Sequence, residues 1–193
     1  MQLGVIGLGR MGGNIVRRLM RAGHECVVYD RDPKPGQALA ADGATLASDL
    51  KDMVAKLKAP RAIWVMLPAG KITEATLAEL AGLVASGDTL IDGGNAFWKD
   101  DVRRGKELGA KGIHYMDIGT SGGVHGLDRG YCLMIGGDKA AFDRLEPIFA
   151  TLAPGKGEIE PTKHREGRNP TSEQGYLHCG PTGSGHFVKM IHN

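Results

Sequence analysis

Cysteine is scarce in this sequence, and neither sign of charge dominates it. Three cysteines stand in 193 residues, at Cys26, Cys132 and Cys179. So few, so far apart, make no disulfide framework. Cys26 and Cys132 fall in apolar, strand-like runs and read as inert buried thiols, and a reducing cytoplasm is the simplest compartment. A formal net charge of +2 gives no electrostatic footing for binding nucleic acid or a membrane surface. No apolar run approaches the roughly 18 residues of a membrane span. The first residues run straight into a strand without a basic leader, so no signal peptide is expected. His114, His125, His178 and His192 show no metal-ligand spacing. His24, His164 and His186 read as surface or pocket residues, so no metal is expected. No internal repeat is visible. Glycine, by contrast, is abundant at 30 residues. It clusters in loops, which suggests close approach of backbone to ligands.

The most informative cluster opens the chain. Leu3 to Ile6 reads as a buried strand and runs into G-x-G-x-x-G at Gly7, Gly9 and Gly12. The following segment, Asn14 to Met20, has helical apolar spacing. Strand, glycine turn and helix in that order form the dinucleotide-binding fingerprint. Gly7 permits the tight turn, Gly9 clears space for a pyrophosphate, and Gly12 lets helix and strand pack closely. The helix start then offers free N–H groups to the phosphates. A second strand, Glu25 to Tyr29, ends at Asp30, where an acid accepts hydrogen bonds from the adenosine ribose and repels a 2′-phosphate. Asp30 favours NAD. Arg31 can pair with a 2′-phosphate, which leaves NADP open. Taken alone, Asp30-Arg31-Asp32-Pro33 also reads as a solvated turn.

Strand-like and helical runs alternate through the rest. Helices are expected at 38–41, 49–57, 73–83, 99–108 and 139–149, and strands at 44–46, 61–67, 88–92, 113–117, 131–135 and 176–179. Pro154 to Gln174 reads as a polar loop. This pattern predicts an α/β fold: a doubly wound, mostly parallel, Rossmann-like sheet. Gly183 to Asn193 begins a helix and stops while its pattern is still running, so a longer parent chain is expected.

Ligands of such sheets bind beyond the carboxyl ends of the strands. Those ends present Leu67-Pro68-Ala69-Gly70, Asp92-Gly93-Gly94-Asn95 and Gly119-Thr120-Ser121-Gly122-Gly123. Asn95 can donate and accept to a substrate hydroxyl or the nicotinamide ribose, although a turn asparagine has the same signature. Ser121-Gly122-Gly123 can bind a carboxylate, or serve only as a hinge. No G-x-S-x-G elbow surrounds Ser121, which argues against a hydrolase nucleophile. Lys189 is the best catalytic candidate. His186, Lys189 and Asn193 share one helical face, while Phe187 and Ile191 form a separate apolar stripe. Burial beside a glycine-rich pocket would make Lys189 a base, although a surface lysine is the commoner reading of spacing alone.

Together these motifs resemble 6-phosphogluconate dehydrogenases, the decarboxylating enzymes of the pentose phosphate pathway. The carriers are Gly7-Leu8-Gly9-Arg10-Met11-Gly12, Asp92 to Asn95, Gly119 to Gly123 and, most specifically, Gly183 to Asn193. Gly126 to Met134 is similar to the short bacterial branch, which often prefers NAD; Asp30 stands where NADP-dependent members usually carry asparagine. The resemblance implies that Lys189 takes the proton of the substrate 3-hydroxyl during hydride transfer, and then stabilises the enolate oxygen as carbon dioxide leaves. It implies substrate contacts from Asn95, Ser121, Gly122, Gly123, His192 and Asn193. It implies cofactor contacts from Gly7, Leu8, Gly9, Arg10, Met11, Gly12, Asp30, Arg31, Asp32, Leu67, Pro68, Ala69 and Asn95.

The family's proton-donating glutamate would lie three residues beyond Asn193. Its helical C-terminal domain, which builds a homo-oligomer and holds the substrate phosphate, is not in this sequence. The implied division is a dinucleotide-binding domain over residues 1–180 and the start of a connecting helix over 181–193. The chain by itself is expected to bind cofactor and turn over 6-phosphogluconate poorly or not at all. The alternatives are another β-hydroxyacid dehydrogenase, of the 3-hydroxyisobutyrate type, or a non-catalytic dinucleotide-binding module.

Overall fold

A computed structural model describes residues 1–158, 160, 163–164 and 171–192. Asn193, and with it the expected substrate contact there, lies outside the described residues, as does most of 159–170.

The strands are β1 (Gln2–Ile6), β2 (Glu25–Tyr29), β3 (Thr45–Leu46), β4 (Ala62–Val65), β5 (Thr89–Asp92), β6 (His114–Ser121), β7 (Cys132–Gly137) and β8 (Tyr176–Gly180). The helices are α1 (Arg10–Arg21), α2 (Pro33–Ala41), α3 (Leu50–Lys56), α4 (Lys71–Leu80), α5 (Trp98–Gly109), α6 (Gly126–Arg129), α7 (Lys139–Leu152), α8 (Thr171–Gln174) and α9 (Ser184–His192). The strands form one sheet in the order β3-β2-β1-β4-β5-β6-β7-β8. All neighbours are parallel except β6 and β7. The expected doubly wound architecture is thus observed.

Alternation along each strand splits the core in two. Val5, Val28, Trp64 and Ile91 face α1, α2 and α7. Their neighbours Ile6, Val27, Ile63 and Leu90 face α3, α4 and α5. Strands covered on both faces read as continuous apolar runs, which is why the short parallel strands were visible in the sequence. The strand order reverses between β1 and β4, so the ligand crevice opens there.

Two elements differ from expectation. Gly119 to Ser121 was expected in a loop, but β6 continues to Ser121. Antiparallel β7 pairs Gly119 with Met134, Thr120 with Leu133 and Ser121 with Cys132, and that long-range ladder overrides local glycine preference. The last four residues of the expected 154–174 loop form the single turn α8, and Gly155 N–H donates to the Gln174 carbonyl at 3.0 Å.

Candidate functional site

The glycine turn is built as its spacing requires. Gly7 adopts φ +86° and donates its N–H to the Tyr29 carbonyl at 3.1 Å. Leu8 N–H donates to Asp30 Oδ2 at 2.6 Å, and Asp32 N–H to Asp30 Oδ1 at 3.0 Å. The Asp30 carboxylate is thereby fixed against the turn. Helix α1 starts after Gly9 with no side-chain cap and no acidic residue in its first turn. Helices α2, α3 and α7 are capped by Asp32, Asp49 and Asp138. The uncapped N–H groups of α1 can serve a ligand, and the dipole there favours an anion. A Cβ on Gly9 would meet nothing within 4 Å. The space it would enter belongs to a cavity of 690 Å³ lined by Gly7, Gly9, Asp30, Arg31, Leu67 and Pro68, among others. These residues fit a dinucleotide. Leu8, Arg10, Gly12 and Asp32 lie off the cavity wall: Leu8 and Gly12 are buried, whereas Arg10 and Asp32 are exposed.

A second cavity, of 390 Å³, adjoins the first along Met66, Leu67 and Pro68. Its walls bring together Met11, Ala69, Asn95, Ser121 to Gly123 and Lys189, five segments far apart in sequence. Thr120 and Met66 also line it and were not singled out from the sequence. His192, the last residue of α9, is exposed and off this wall.

Lys189 reaches the cavity because α9 lies directly on the sheet. Asp117 caps the helix from the side: Gly183 N–H donates to its Oδ1 at 2.6 Å and His186 N–H to its Oδ2 at 2.9 Å. A Cβ on Gly119 would lie 2.4 Å from Lys189 Cβ, so the lysine stem crosses the sheet where no side chain stands. Lys189 is half-buried. The expected apolar stripe points outward, with Phe187 and Ile191 exposed.

Beneath the cavities lies a buried polar cluster that apolar periodicity could not reveal: Asp92, Asp101, Arg104, Asp117 and His186. Of the two readings of His186, surface or pocket, the structure bears out the second: it lines a cavity with Asn95, Trp98 and Met190. It is 2% exposed, and its Nδ1 is 2.8 Å from Asp101 Oδ2. Asp101, Asp117 and His186 bring ligand atoms within 4.8 Å of one another. Both Asp117 oxygens already accept backbone N–H groups, and the Asp101 oxygens take Tyr115 Oη–H and the imidazole. These bonds make the cluster a hydrogen-bonded network.

Burial alone would lower the His186 pKa, but the Asp101 hydrogen bond and the carboxylates of Asp101, Asp92 and Asp117 together raise it. A raised folded-state pKa contributes stability that is complete below the unfolded value of about 6.5 and is lost as pH rises through the folded value. Urea titrations are therefore expected to show unfolding free energy falling above about pH 6.5, with that fall missing in His186→Asn. A variant keeping the full slope would refute the assignment.

The thiols divide. Cys26 is buried and its pKa is pushed up to about 12 by desolvation, as an inert thiol should be. Cys132 is exposed, against expectation. It opens β7 opposite Ser121 at the mouth of the site, where an apolar run no longer implies burial. No described helix is long and apolar enough to cross a membrane.

Comparison with known proteins agrees with this geometry. A family profile described as the NAD binding domain of 6-phosphogluconate dehydrogenase matches residues 2–160. The NAD(+)-dependent, decarboxylating 6-phosphogluconate dehydrogenase of Haloferax volcanii is 41% identical over 100% of this chain and 58% of its own length. The NADP(+)-dependent enzyme of Bacillus subtilis is 36% identical over 100% of this chain and 39% of its own. Among solved structures, Plasmodium falciparum 6-phosphogluconate dehydrogenase matches with a TM-score of 0.86 and 26% identity, covering 100% of this chain and 40% of that one. Mycobacterium tuberculosis 3-hydroxyisobutyrate dehydrogenase matches with a TM-score of 0.81 and 23% identity, covering 99% and 58%; that likeness shows the fold alone. The chain thus spans roughly two fifths to three fifths of the length of these relatives.

Proposed function

Since the chain belongs to the family of NAD binding domains of 6-phosphogluconate dehydrogenase, we propose that it holds NAD at the Gly7–Gly12 turn and presents Lys189 to 6-phosphogluconate. The whole protein would oxidise and decarboxylate that sugar acid to ribulose 5-phosphate. Bound NAD supplies the hydride acceptor. The chain's own residues do the rest of the work assigned here. Lys189 takes the proton from the substrate 3-hydroxyl and returns a hydrogen bond to the same oxygen as it becomes an enolate. A positioned base of this kind contributes about 10²- to 10⁴-fold in rate. Asn95 orients a hydroxyl, and Ser121 with the N–H groups of Gly122 and Gly123 receives the carboxylate. His192 is exposed, off the cavity wall that carries Lys189, and Asn193 lies outside the described residues, so neither is assigned a substrate contact.

The observation that carries this reading is the adjoining of two cavities along Leu67 and Pro68, one edged by the glycine turn and the other by Asn95, Ser121 and Lys189. Calorimetric titration with NAD and NADP, each with and without 6-phosphogluconate, tests it. NAD is expected to bind more tightly, and absence of dinucleotide binding would sink the reading. The 3-hydroxyisobutyrate alternative draws on shared fold alone, and a screen of hydroxy acids with the full-length enzyme, trapping released carbon dioxide, separates it. Residues 1–180 form the dinucleotide-binding body in this proposal, and 181–193 start the connecting helix. A homo-oligomer would form through the part of the relatives that this chain does not span. The three free thiols, one exposed, favour a reducing cytoplasm.

Asp30 carries the preference for NAD. Its carboxylate is already set by Leu8 and Asp32 N–H groups, and hydrogen bonds to charged groups are worth about 1.5–3 kcal/mol. In Asp30→Asn the ratio of NADP to NAD dissociation constants is expected to fall by about tenfold or more. An unchanged ratio would show that Asp30 does not discriminate.

A further inference from the structure

Behind the walls that carry Asn95 and Lys189 lies a layer of buried charge. It centres on Arg104 of α5, which is 4% exposed. Its Nη1 donates to Asp92 Oδ2 at 3.2 Å and to the Tyr115 hydroxyl at 3.4 Å, and lies 3.5 Å from Asp101 Oδ1. Its Nε and Nη2 donate to Glu74 at 2.9 and 2.7 Å.

Each partner leads to a different wall of the site. Asp92 ends β5, and its Oδ1 accepts Gly94 N–H at 2.9 Å, one residue before Asn95. Glu74 sits in the first turn of α4 beside Thr73, whose hydroxyl donates to the Pro68 carbonyl at 2.9 Å. Asp101 takes Tyr115 Oη–H on one oxygen and His186 Nδ1 on the other, both at 2.8 Å. His186 is one helical turn before Lys189. One guanidinium therefore links the Leu67–Ala69 loop, the Gly93–Asn95 turn and, through Asp101, the helix that carries Lys189.

Stability alone does not account for this arrangement. Burying charges costs several kcal/mol per ion after relaxation, and apolar replacements of similar shape are often as stable. What a buried ionic network does supply is fixed direction, because each hydrogen bond tolerates little angular change. We propose that Arg104 and the Asp101–His186 pair are positioning residues that hold the Asn95 turn and the Lys189 helix at one fixed separation. The proposal rests on the reading of Lys189 as the base for its catalytic meaning. Its geometric content stands without turnover.

The test uses the 193-residue chain, with Lys189 observed as its ¹³C-dimethylated ammonium resonance (identified by its loss in Lys189→Arg) and Asn95 by its side-chain amide. In His186→Leu the Lys189 resonance is expected to move to the position of a freely exposed lysine, while NAD affinity stays within twofold. His186→Asn, which keeps a donor at the Nδ1 position, is expected to restore it. Arg104→Met is expected to displace both resonances, although Arg104 touches neither residue. Wild-type resonances in folded His186→Leu and Arg104→Met would overturn the proposal, as a purely stabilising network would give that result. If these variants do not fold, amide exchange in the wild type decides. Gly94 and His186 are expected to exchange with matching protection, and tenfold or faster exchange at His186 alone overturns the coupling. Failure of the base reading looks different: the variants still shift Lys189, but adding NAD with 6-phosphogluconate leaves the wild-type Lys189 resonance unmoved.

Discussion

Gly12→Ala is expected to abolish dinucleotide binding. A Cβ at Gly12 would lie 1.9 Å from the Gly7 carbonyl oxygen and 3.0 Å from its carbonyl carbon. Both are backbone atoms, so no rotamer change relieves the contact. Either α1 lifts from β1 or the turn opens. The turn is itself held by Gly7 N–H to Tyr29 and Leu8 N–H to Asp30, so opening it also releases the acid meant for the ribose. Overpacking of this kind costs about 1–3 kcal/mol of stability, occasionally more. Affinity for NAD is expected to fall by two orders of magnitude or beyond, since the α1 N–H groups no longer converge on one point. Gly9→Ala is the informative partner, because its Cβ meets no protein atom within 4 Å. It should leave urea stability within about 0.5 kcal/mol and still weaken NAD binding by occupying ligand space. Calorimetry and urea melts on both variants check the pair. Unchanged NAD affinity in Gly12→Ala would remove the glycine turn from the site.

Gly185→Ala should separate the two halves of the site. Its Cβ would stand 2.2 Å from the Asp117 carbonyl oxygen and 2.5 Å from that of Met134. Those oxygens belong to β6 and β7 in the body of the sheet, which cannot yield. Helix α9 must rise instead, breaking the Asp117 bonds to Gly183 and His186 and carrying Lys189 off Gly119. Amide exchange across 184–192 is expected to accelerate at least a hundredfold, while NAD affinity changes by no more than about threefold. Retained protection of the helix would contradict the close docking. Gly119→Ala is predicted to be milder, since its Cβ meets the Lys189 side chain, which can shift where backbone cannot.

Much of this could be read from sequence because local chemistry is sufficient for it. The turn after β1 needs glycine at Gly7 for its φ and at Gly12 for close packing. Short parallel strands buried on both faces write themselves as apolar runs. Asp30 follows because a strand ends at its acid. Asn95 and Ser121 were visible as polar residues beside glycines at strand ends, and Lys189 as a polar residue on the last helix.

Other features depend on partners remote in the chain. β6 runs to Ser121 because β7 pairs with it in reverse, a long-range choice invisible in Gly119-Thr120-Ser121. Cys132 looks apolar and buried by its neighbours, but it opens β7 and is exposed. Arg104, Asp101 and Asp117 look like ordinary charges on a helix and in a strand. Their burial depends on one another, and no period of apolar residues announces that. His186 reads as a surface or pocket residue and does line a cavity, but its buried partner Asp101 is brought in by α5, far away in the chain.

The sequence by itself determined the α/β class, the glycine turn, the acid beside it and several of the residues that meet at the crevice, Asn95, Ser121 and Lys189 among them. These rest on backbone conformation and on burial patterns that repeat along a few residues. Only the tertiary structure decided how those residues meet: that α9 sets its Gly185 against β6 and β7 and its Lys189 against Gly119 without intervening side chains, that Asp117 caps it from a strand, and that Arg104 ties its position to Asn95. The reason is physical. A close approach or a buried ion pair is a property of two surfaces, and a sequence writes each surface in a different place.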